Sequence, residues 1–406
     1  MTGPAAPPLG VRLVRVRVPL RRAHRSALAA DAVRDSVLVC WIRDDGVAGW
    51  AECPTVGSGG YVTESTERAW AGLVSQLGPA ALAGHAAVPP GLPAATAALI
   101  DARLDADLRA AGRSLVDRVG GRRAALPRCA VLAGVGERVE DLVAGAVEAV
   151  AGGASKGKGK VAPGHDVGVV RAVADAVPAT PVAIDLNGTD VGRDVLGALD
   201  GLGLAYLEQP LPPGTPWEDL AACRAGLATP VALDESLMSP DAVVAALRTG
   251  AVDVVSVKPA RLGGVVAATA AVAAARDAGA DAFVGGMFEL GIGRAHAAAV
   301  ASLDGCTLPT DLGPSAAYVE RDVCDPVVVD GAGRLLLPDG PGCGRTPDES
   351  VLADVAVDEV VLGRWWREGP GRTWGGAGSP EPPPAGVARP PVSGRRARPR
   401  CGGPRG

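Results

Sequence analysis

Apolar and polar positions alternate in two different ways along this chain, and the change falls near residue 125. Before it, apolar residues recur at every second position in short runs separated by tight turns, as in half-exposed antiparallel strands. These runs cover residues 11–18, 36–42 and 48–53, and two helical stretches follow at 65–77 and 94–111. The pattern predicts an α+β unit over residues 1–125.

After residue 125, short apolar runs alternate with helical stretches. The runs begin near residues 128, 155, 182, 205, 231, 252, 282 and 306. The helical stretches are 137–151, 166–176, 194–202, 216–226, 240–249, 265–278 and 293–303. About eight such repeats favour a closed parallel barrel over an open sheet. The predicted fold is therefore α/β, with a modified (β/α)8 TIM-type barrel over residues 126–325 and an α+β capping domain.

The end of the chain differs from the barrel region. Residues 326–362 contain short strands and turns, and we expect them to return to the capping domain. Residues 363–406 are rich in Pro, Gly and Arg without periodicity, which predicts a disordered basic tail. The whole chain carries a net charge of −5, while the segment from residue 364 onward carries nine Arg and two Glu. The remaining body is therefore acidic, which argues against nucleic acid as the main ligand.

Five charged residues follow successive strand candidates at almost even intervals: Lys160, Asp185, Glu208, Asp234 and Lys258. The gaps are 25, 23, 26 and 24 residues, the length of one strand-plus-helix unit. Side chains at the carboxyl ends of parallel strands converge on one mouth of a barrel. We therefore expect three carboxylates to lie together with a lysine on either side.

Three carboxylates without His or Cys are hard oxygen donors, which suit Mg²⁺ or Mn²⁺ rather than Zn²⁺. A divalent cation would also offset the cost of three like charges in one place. Beside such an ion, a neutral lysine can remove a proton α to a carboxylate. The alternative is that each acid caps the helix after its strand and that each lysine is a surface charge.

The composition of the chain indicates its cellular location and bears on which metal it could bind. We find no targeting signal and no apolar run long enough to span a bilayer, which predicts a cytoplasmic protein without a membrane partner. The eight cysteines are scattered and form no CxxC pair, which indicates reduced thiols and argues against a zinc site.

Short motifs around the five charged residues resemble those of the enolase superfamily, and more closely its o-succinylbenzoate synthase / N-acylamino acid racemase branch. They are Lys158-Gly159-Lys160, Asp185-Leu186-Asn187, Glu208-Gln209-Pro210, Leu233-Asp234-Glu235-Ser236, Val257-Lys258 followed by Arg261-Leu262-Gly263-Gly264, and Gly285-Gly286-Met287-Phe288-Glu289. Segments 291–296 and 318–322 point to the branch. The resemblance covers about residues 10–362.

The resemblance implies Mg²⁺ on Asp185, Glu208 and Asp234, with Lys160 and Lys258 as catalytic lysines acting on a small-molecule carboxylate. It implies binding or supporting roles for Lys158, Asn187, Glu235, Gly286, Met287 and Glu289. Our first hypothesis is a hydro-lyase, o-succinylbenzoate synthase of menaquinone biosynthesis. The second is an N-acylamino acid racemase or dipeptide epimerase on the same site, and the third is a non-catalytic barrel with a binding role.

The chain also departs from the family pattern. Gly157 and Gly159 replace apolar residues in the second barrel strand, which weakens that strand, and Leu290 stands where a small hydroxyl residue is common. The loop expected at 20–25, over the substrate, lacks the usual aromatic residue and glycine. These changes affect substrate contacts more than the metal positions. Because members of the superfamily often assemble, a homo-oligomer is a further expectation.

Overall fold

The computed structural model describes residues 7–25, 30–55, 64–86, 88–131 and 138–364. The tail prediction therefore lies, from residue 365 onward, outside the described residues. The strands are β1 (Gly10–Arg25), β2 (Ala30–Ile42), β3 (Ala48–Cys53), β4 (Ala125–Leu126), β5 (Cys129–Val131), β6 (Lys156–Lys160), β7 (Val182–Asp185), β8 (Leu207–Glu208), β9 (Val231–Leu233), β10 (Val254–Val257), β11 (Asp281–Val284), β12 (Leu335–Leu336) and β13 (Ala356–Gly363).

The helices alternate with these strands through the middle of the chain. They are α1 (Thr66–Gly72), α2 (Gly78–Leu82), α3 (Pro93–Ala110), α4 (Leu115–Val119), α5 (Val139–Ala151), α6 (Val167–Ala176), α7 (Arg193–Asp200), α8 (Trp217–Ala225), α9 (Pro240–Thr249), α10 (Pro259–Leu262), α11 (Val265–Asp277), α12 (Gly291–Ala301) and α13 (Glu349–Val355). A π-helical turn at Leu73–Leu77 joins α1 to α2. None of the helices in the described ranges is long and apolar enough to cross a membrane.

The first sheet is antiparallel, in the order β13-β1-β2-β3. Helix α3 packs on it closely because the contact is made from small residues. A Cβ added at Gly49 would lie 2.0 Å from the backbone nitrogen of Ala106, so only glycine fits there. The residues expected to form a loop at 20–25 instead continue β1, because Leu20 bridges Val319 and the strand resumes pairing with β2 at His24. The loop prediction was wrong at this point.

The second sheet is parallel, and within the described ranges its order is β11-β10-β9-β8-β7-β6-β5. The eighth strand expected near residue 306 is irregular, because Pro309 has no backbone N–H to donate. Segment 307–311 still closes the barrel. On one side Leu308 N donates to Ala282 O, and on the other Thr310 N donates to Pro127 O.

Strand β6 remains regular despite its two glycines and pairs with β5 on one side and β7 on the other. Its three lysines occupy alternate positions, so all three face the same side of the sheet. That side is the barrel interior, since Lys156 contacts the rings of Tyr206 and Phe283 at 4.7 and 4.3 Å from their centroids. The glycines face outward, and a register shift is not needed.

Helix α12 connects the barrel to the antiparallel sheet. Every residue of this Ala-rich helix is buried. Its first turn is held by Glu52 of β3, whose carboxylate accepts hydrogen bonds from Leu290 N at 2.8 Å and Gly293 N at 3.2 Å. A carboxylate at a helix N-terminus satisfies backbone donors that the helix itself leaves without partners.

Candidate active site at the barrel mouth

The five evenly spaced residues lie at the carboxyl ends of consecutive strands. Lys160, Asp185 and Glu208 end β6, β7 and β8, while Asp234 and Lys258 directly follow β9 and β10. Lys160 pairs in register with Asp185, and Asp185 with Glu208. The sheet therefore brings the five residues to one end of the barrel, in the order in which they occur along the chain.

Each outer carboxylate of this row contacts one of the two flanking lysines. Lys160 Nζ lies 3.2 Å from Asp185 Oδ2 and 2.8 Å from Asn187 Oδ1. Lys258 Nζ lies 2.6 Å from Asp234 Oδ2. The two ammonium groups thus sit at the two ends of the carboxylate row.

The central carboxylate, Glu208, is fully buried and has an incomplete set of partners. Its Oε2 accepts a hydrogen bond from Lys158 Nζ at 3.0 Å. Its Oε1 has no hydrogen-bond partner among the residues that the structure describes. Burial, followed by the charges of Asp185 and Asp234, raises the pKa of Glu208 to about 8, although Lys158 opposes the shift. The positive charge of Lys158 therefore does not offset burial and the two neighbouring carboxylates.

Asp234 lies in the opposite electrostatic environment. Burial would raise the pKa of this carboxyl, but the charges of Arg261 and Lys258 outweigh burial and hold the pKa well below its ordinary value. Arg261 Nη1 lies 2.6 Å from Asp234 Oδ1 and 2.8 Å from its backbone oxygen. Arg261 belonged to a recognised motif but was not predicted as a site residue.

A second unpredicted residue is Asp311, at the end of the irregular segment 307–311. Its Oδ2 lies 2.5 Å from Lys158 Nζ, and Lys156 Nζ lies 3.5 Å from its Oδ1. Lys158 therefore bridges Asp311 and Glu208 inside the barrel.

The rarity of lysine in the sequence is a signal that indicates this network. The whole chain has only four lysines among its 40 basic residues, and they are Lys156, Lys158, Lys160 and Lys258. All four lie in or at the barrel, and Lys160, the least buried, has a side-chain exposure of 11%. The chain thus uses arginine everywhere else and keeps lysine for this site.

Asn187 and Glu235 connect the row to its surroundings. Asn187 Nδ2 donates to Asp185 Oδ2 at 2.9 Å and to Glu235 Oε1 at 3.0 Å. Burial, together with the charges of Asp234 and Asp185, raises the pKa of Glu235 to about 7. In the described residues, the hydrogen bond to Glu235 therefore comes from Asn187.

Strained backbone marks the same end of the barrel. In the described part of the chain, the non-glycine residues with positive φ are Asn187 (46°), Gln209 (47°) and Phe288 (57°). Each follows a barrel strand, and such strain clusters at functional sites. Gln209 is held there because its Oε1 accepts from Asp234 N and Ser236 N, both at 3.1 Å.

Two further predicted residues, Met287 and Glu289, lie on the side that faces the antiparallel sheet. Met287 lines a small cavity between the sheet unit and the barrel. The other lining residues are Thr55, Glu64, Pro93, Ala94, Met238 and Arg261. Gly286 lies beside Glu289, whose Oε2 would be 3.6 Å from a Cβ added at Gly286. Glu289 is buried against the start of α12. A Cβ added at Gly293 of that helix would lie 3.0 Å from the Cβ of Glu289.

The donor set at the mouth fits a hard divalent cation. It consists of three adjacent carboxylates, and the central one has a buried oxygen without a partner. Among the described residues, the group of His, Cys, Asp or Glu whose ligand atoms all lie within 4.8 Å is a different one, Asp105, His296 and Cys343.

Comparisons with known proteins agree with this geometry. A family model described as Enolase C-terminal domain-like matches residues 138–351. The N-succinylamino acid racemase of an Amycolatopsis species is 35% identical over 374 residues, which are 87% of this chain and 99% of that protein. The o-succinylbenzoate synthase of Geobacillus stearothermophilus is 34% identical over 327 residues, which are 78% of this chain and 87% of that protein. The structure of a probable mandelate racemase from Alicyclobacillus acidocaldarius matches with a TM-score of 0.77 at 33% identity and covers 87% of this chain and 98% of that one.

Fold, site geometry and relatives define an enzyme built on a modified TIM barrel with an α+β cap. The chain belongs to the enolase superfamily. Its relatives include lyases and racemases, so the predicted family, fold class and enzyme class are confirmed.

Proposed function

We propose that this protein is a Mg²⁺-dependent o-succinylbenzoate synthase, which dehydrates 2-succinyl-6-hydroxy-2,4-cyclohexadiene-1-carboxylate in menaquinone biosynthesis. The observation that carries the proposal is the row of three carboxylates with one lysine ammonium at each end. The proposal includes a cytoplasmic location and requires neither nucleic acid nor a membrane. The homo-oligomer stays a prediction.

Asp185, Glu208 and Asp234 are the residues that would hold the cation. When bound, Mg²⁺ supplies positive charge beside the substrate carboxylate and so favours loss of the neighbouring α-proton. Arg261 fixes Asp234 from behind, and Lys158 fixes Glu208 from inside the barrel. These contacts orient the ligands, as supporting residues of metal sites commonly do.

Lys160 acts as the base in the synthase reaction. Its neutral amine takes the α-proton of the substrate, and the resulting ammonium then gives a proton to the departing hydroxyl, so that water leaves from the same face. Asn187 and Asp185 hold Nζ of Lys160 in place for both steps. Lys258 stays protonated and stabilises the negative charge that develops on the enediolate.

The second candidate is racemisation of an N-acylamino acid, which is supported by the similarity to a racemase. The Amycolatopsis racemase aligns with this chain over 99% of its own length. In that reaction Lys160 and Lys258 exchange protons with opposite faces of the α-carbon, so the same residues serve both reactions. The two lysines therefore support both candidates equally.

The test is an assay of the purified full-length chain with Mg²⁺ on the cyclohexadiene carboxylate and on N-succinyl amino acids in deuterated water. We expect dehydration of the first substrate. Efficient racemisation without dehydration would replace the first candidate by the second. If the α-proton of neither substrate exchanges with solvent, both fail and the binding role of a non-catalytic barrel takes their place.

The lysine roles need a separate experiment. We expect Lys160→Ala to abolish turnover while Mg²⁺ binding, measured by calorimetry, survives, because Lys160 contacts the carboxylate row without supplying a metal ligand. The matched control is Arg276→Ala, which removes an exposed cation paired with Asp277. Turnover by Lys160→Ala at the level of this control would refute the assignment.

A further inference from the structure

A second group of ligand-type side chains lies away from the five charged residues, where α3, α12 and the segment between β12 and α13 meet. Asp105, His296 and Cys343 each offer one ligand atom, and these atoms all lie within 4.8 Å of one another. All three residues are buried, and Asp105 is completely so. The proposed enzyme mechanism uses none of them.

The imidazole of His296 has one nitrogen engaged and one available. Nδ1 lies 3.0 Å from Ile292 O in the preceding turn, so Nδ1 carries the proton and the lone pair is on Nε2. Nε2 is buried and has no hydrogen-bond partner in the part of the chain that the structure describes. Buried polar atoms are nearly always satisfied, so this nitrogen calls for a bound species. Histidines that bind metals commonly donate their other N–H to a backbone carbonyl in this way.

The backbone at Gly342 and Cys343 approaches the carboxylate of Asp105 closely. Asp105 Oδ1 accepts from Cys343 N at 2.5 Å, and Oδ2 accepts from Trp50 N at 2.8 Å and from Arg109 Nε at 2.6 Å. A Cβ at Gly342, whose φ is +66°, would lie 2.1 Å from Asp105 Oδ1. Only glycine therefore lets this segment approach the carboxylate, whose Oδ1 keeps one further lone pair.

We propose that Asp105, His296 and Cys343 bind one Zn²⁺ ion, which joins α3 of the antiparallel sheet unit to α12 of the barrel. A thiolate sulfur, an imidazole nitrogen and a carboxylate oxygen are donors that Zn²⁺ takes. The thiolate and the carboxylate supply two negative charges, and the Arg109 guanidinium contacts both residues, at 2.6 Å from Asp105 Oδ2 and 3.9 Å from Cys343 Sγ. Binding replaces the S–H proton of Cys343 by an S–Zn bond and releases that proton to solvent.

Cobalt is the probe, because only a sulfur ligand gives a thiolate-to-cobalt charge-transfer band. The full-length chain is cleared of metal with EDTA, dialysed, supplied with excess Mg²⁺ for the oxygen-donor site and titrated with CoCl₂. We expect one equivalent to produce the band and Zn²⁺ to abolish it. Cys343→Ser should remove the band, and His296→Gln should weaken Co²⁺ binding at least about 100-fold, since each loses a direct ligand.

The matched control is Cys306→Ser, which removes another buried cysteine outside the cluster and should leave the band unchanged. Zn²⁺ should also raise the unfolding temperature of the original chain and of Cys306→Ser, but not of Cys343→Ser. A titration of the original chain without the band overturns the proposal even if no variant folds. A band that persists in Cys343→Ser overturns it as well.

Discussion

Replacing Lys158 with methionine tests the charge balance inside the barrel. The Lys158 ammonium lies 2.5 Å from Asp311 Oδ2 and 3.0 Å from Glu208 Oε2, and all three side chains are buried. Methionine keeps most of the apolar volume and removes only the charge. Breaking a buried ion pair by deleting one partner costs about 3–5 kcal/mol, because the other charge is left uncompensated.

The two carboxylates respond differently to the loss. Glu208 has a pKa of about 8, so at pH 7 it is already mostly protonated and loses little when Lys158 is removed. Burial opposes ionisation of Asp311, and the charges of Lys158 and Lys156 keep its pKa below the ordinary value. Without Lys158 most of the cost falls on Asp311. We therefore expect the lower end of the range, about 3 kcal/mol, or at least a 100-fold change in the unfolding equilibrium.

The assay is urea denaturation of both proteins at pH 7 with EDTA. The control is Arg276→Met, which removes an exposed pair with Asp277 and should cost less than about 1 kcal/mol. The loss in Lys158→Met should shrink as pH falls, because protonation of Asp311 removes the unpaired charge. A loss no larger than that of the control, or one independent of pH, would refute the reasoning.

Further expectations concern the central carboxylate and the tight helix contact. Because the pKa of Glu208 is about 8, Mg²⁺ must displace a proton below that pH. Calorimetry should show that the affinity for Mg²⁺ rises up to about 10-fold per pH unit toward pH 8. An affinity that does not change with pH would contradict the assignment of Glu208 as a metal ligand. The folded-state pKa of Glu208 lies above its ordinary value of 4.5. With EDTA, the unfolding midpoint should therefore fall as pH rises from 4.5 to about 8. A midpoint that does not fall over this range would show that the folded protein does not retain the proton. Gly49→Ala places a Cβ 2.0 Å from Ala106 N and should lower the free energy of unfolding by more than about 3 kcal/mol, measured by thermal unfolding. The control is Gly331→Ala, because nothing lies within 4 Å of a Cβ at that position. Equal unfolding midpoints of the two variants would contradict the contact.

The sequence predicted the row of charges well, because a parallel strand ends at one side of its sheet and its last side chain must face the mouth. Asp185 and Glu208 needed only the strand ends to be located correctly. Their roles stay predictions, as do the domain boundaries at residues 125, 325 and 362. The superfamily, in contrast, is confirmed by the relatives.

The partners of the row could not be predicted from local patterns. Asp311 comes from a segment that Pro309 keeps out of regular pairing, so no strand pattern indicated that it faces the interior. His296 and Cys343 are 47 positions apart in the sequence and have no ligand spacing. Only the packing of α12 against α3 and the C-terminal segment brings them to Asp105. Contacts between distant segments depend on tertiary geometry, which periodicity does not contain.

The pairing of β13 with β1 has a consequence for synthesis. Gly10 pairs with Gly363 and Val16 with Ala356, so β1 is covered by β13, which is made much later. While the ribosome is still adding residues before 356, the outer edge of β1 exposes N–H and C=O groups without a strand beside them. Such an edge can pair with other chains. A nascent or truncated chain that stops before β13 should therefore depend on chaperones, whereas a chain that includes β13 covers this edge of β1.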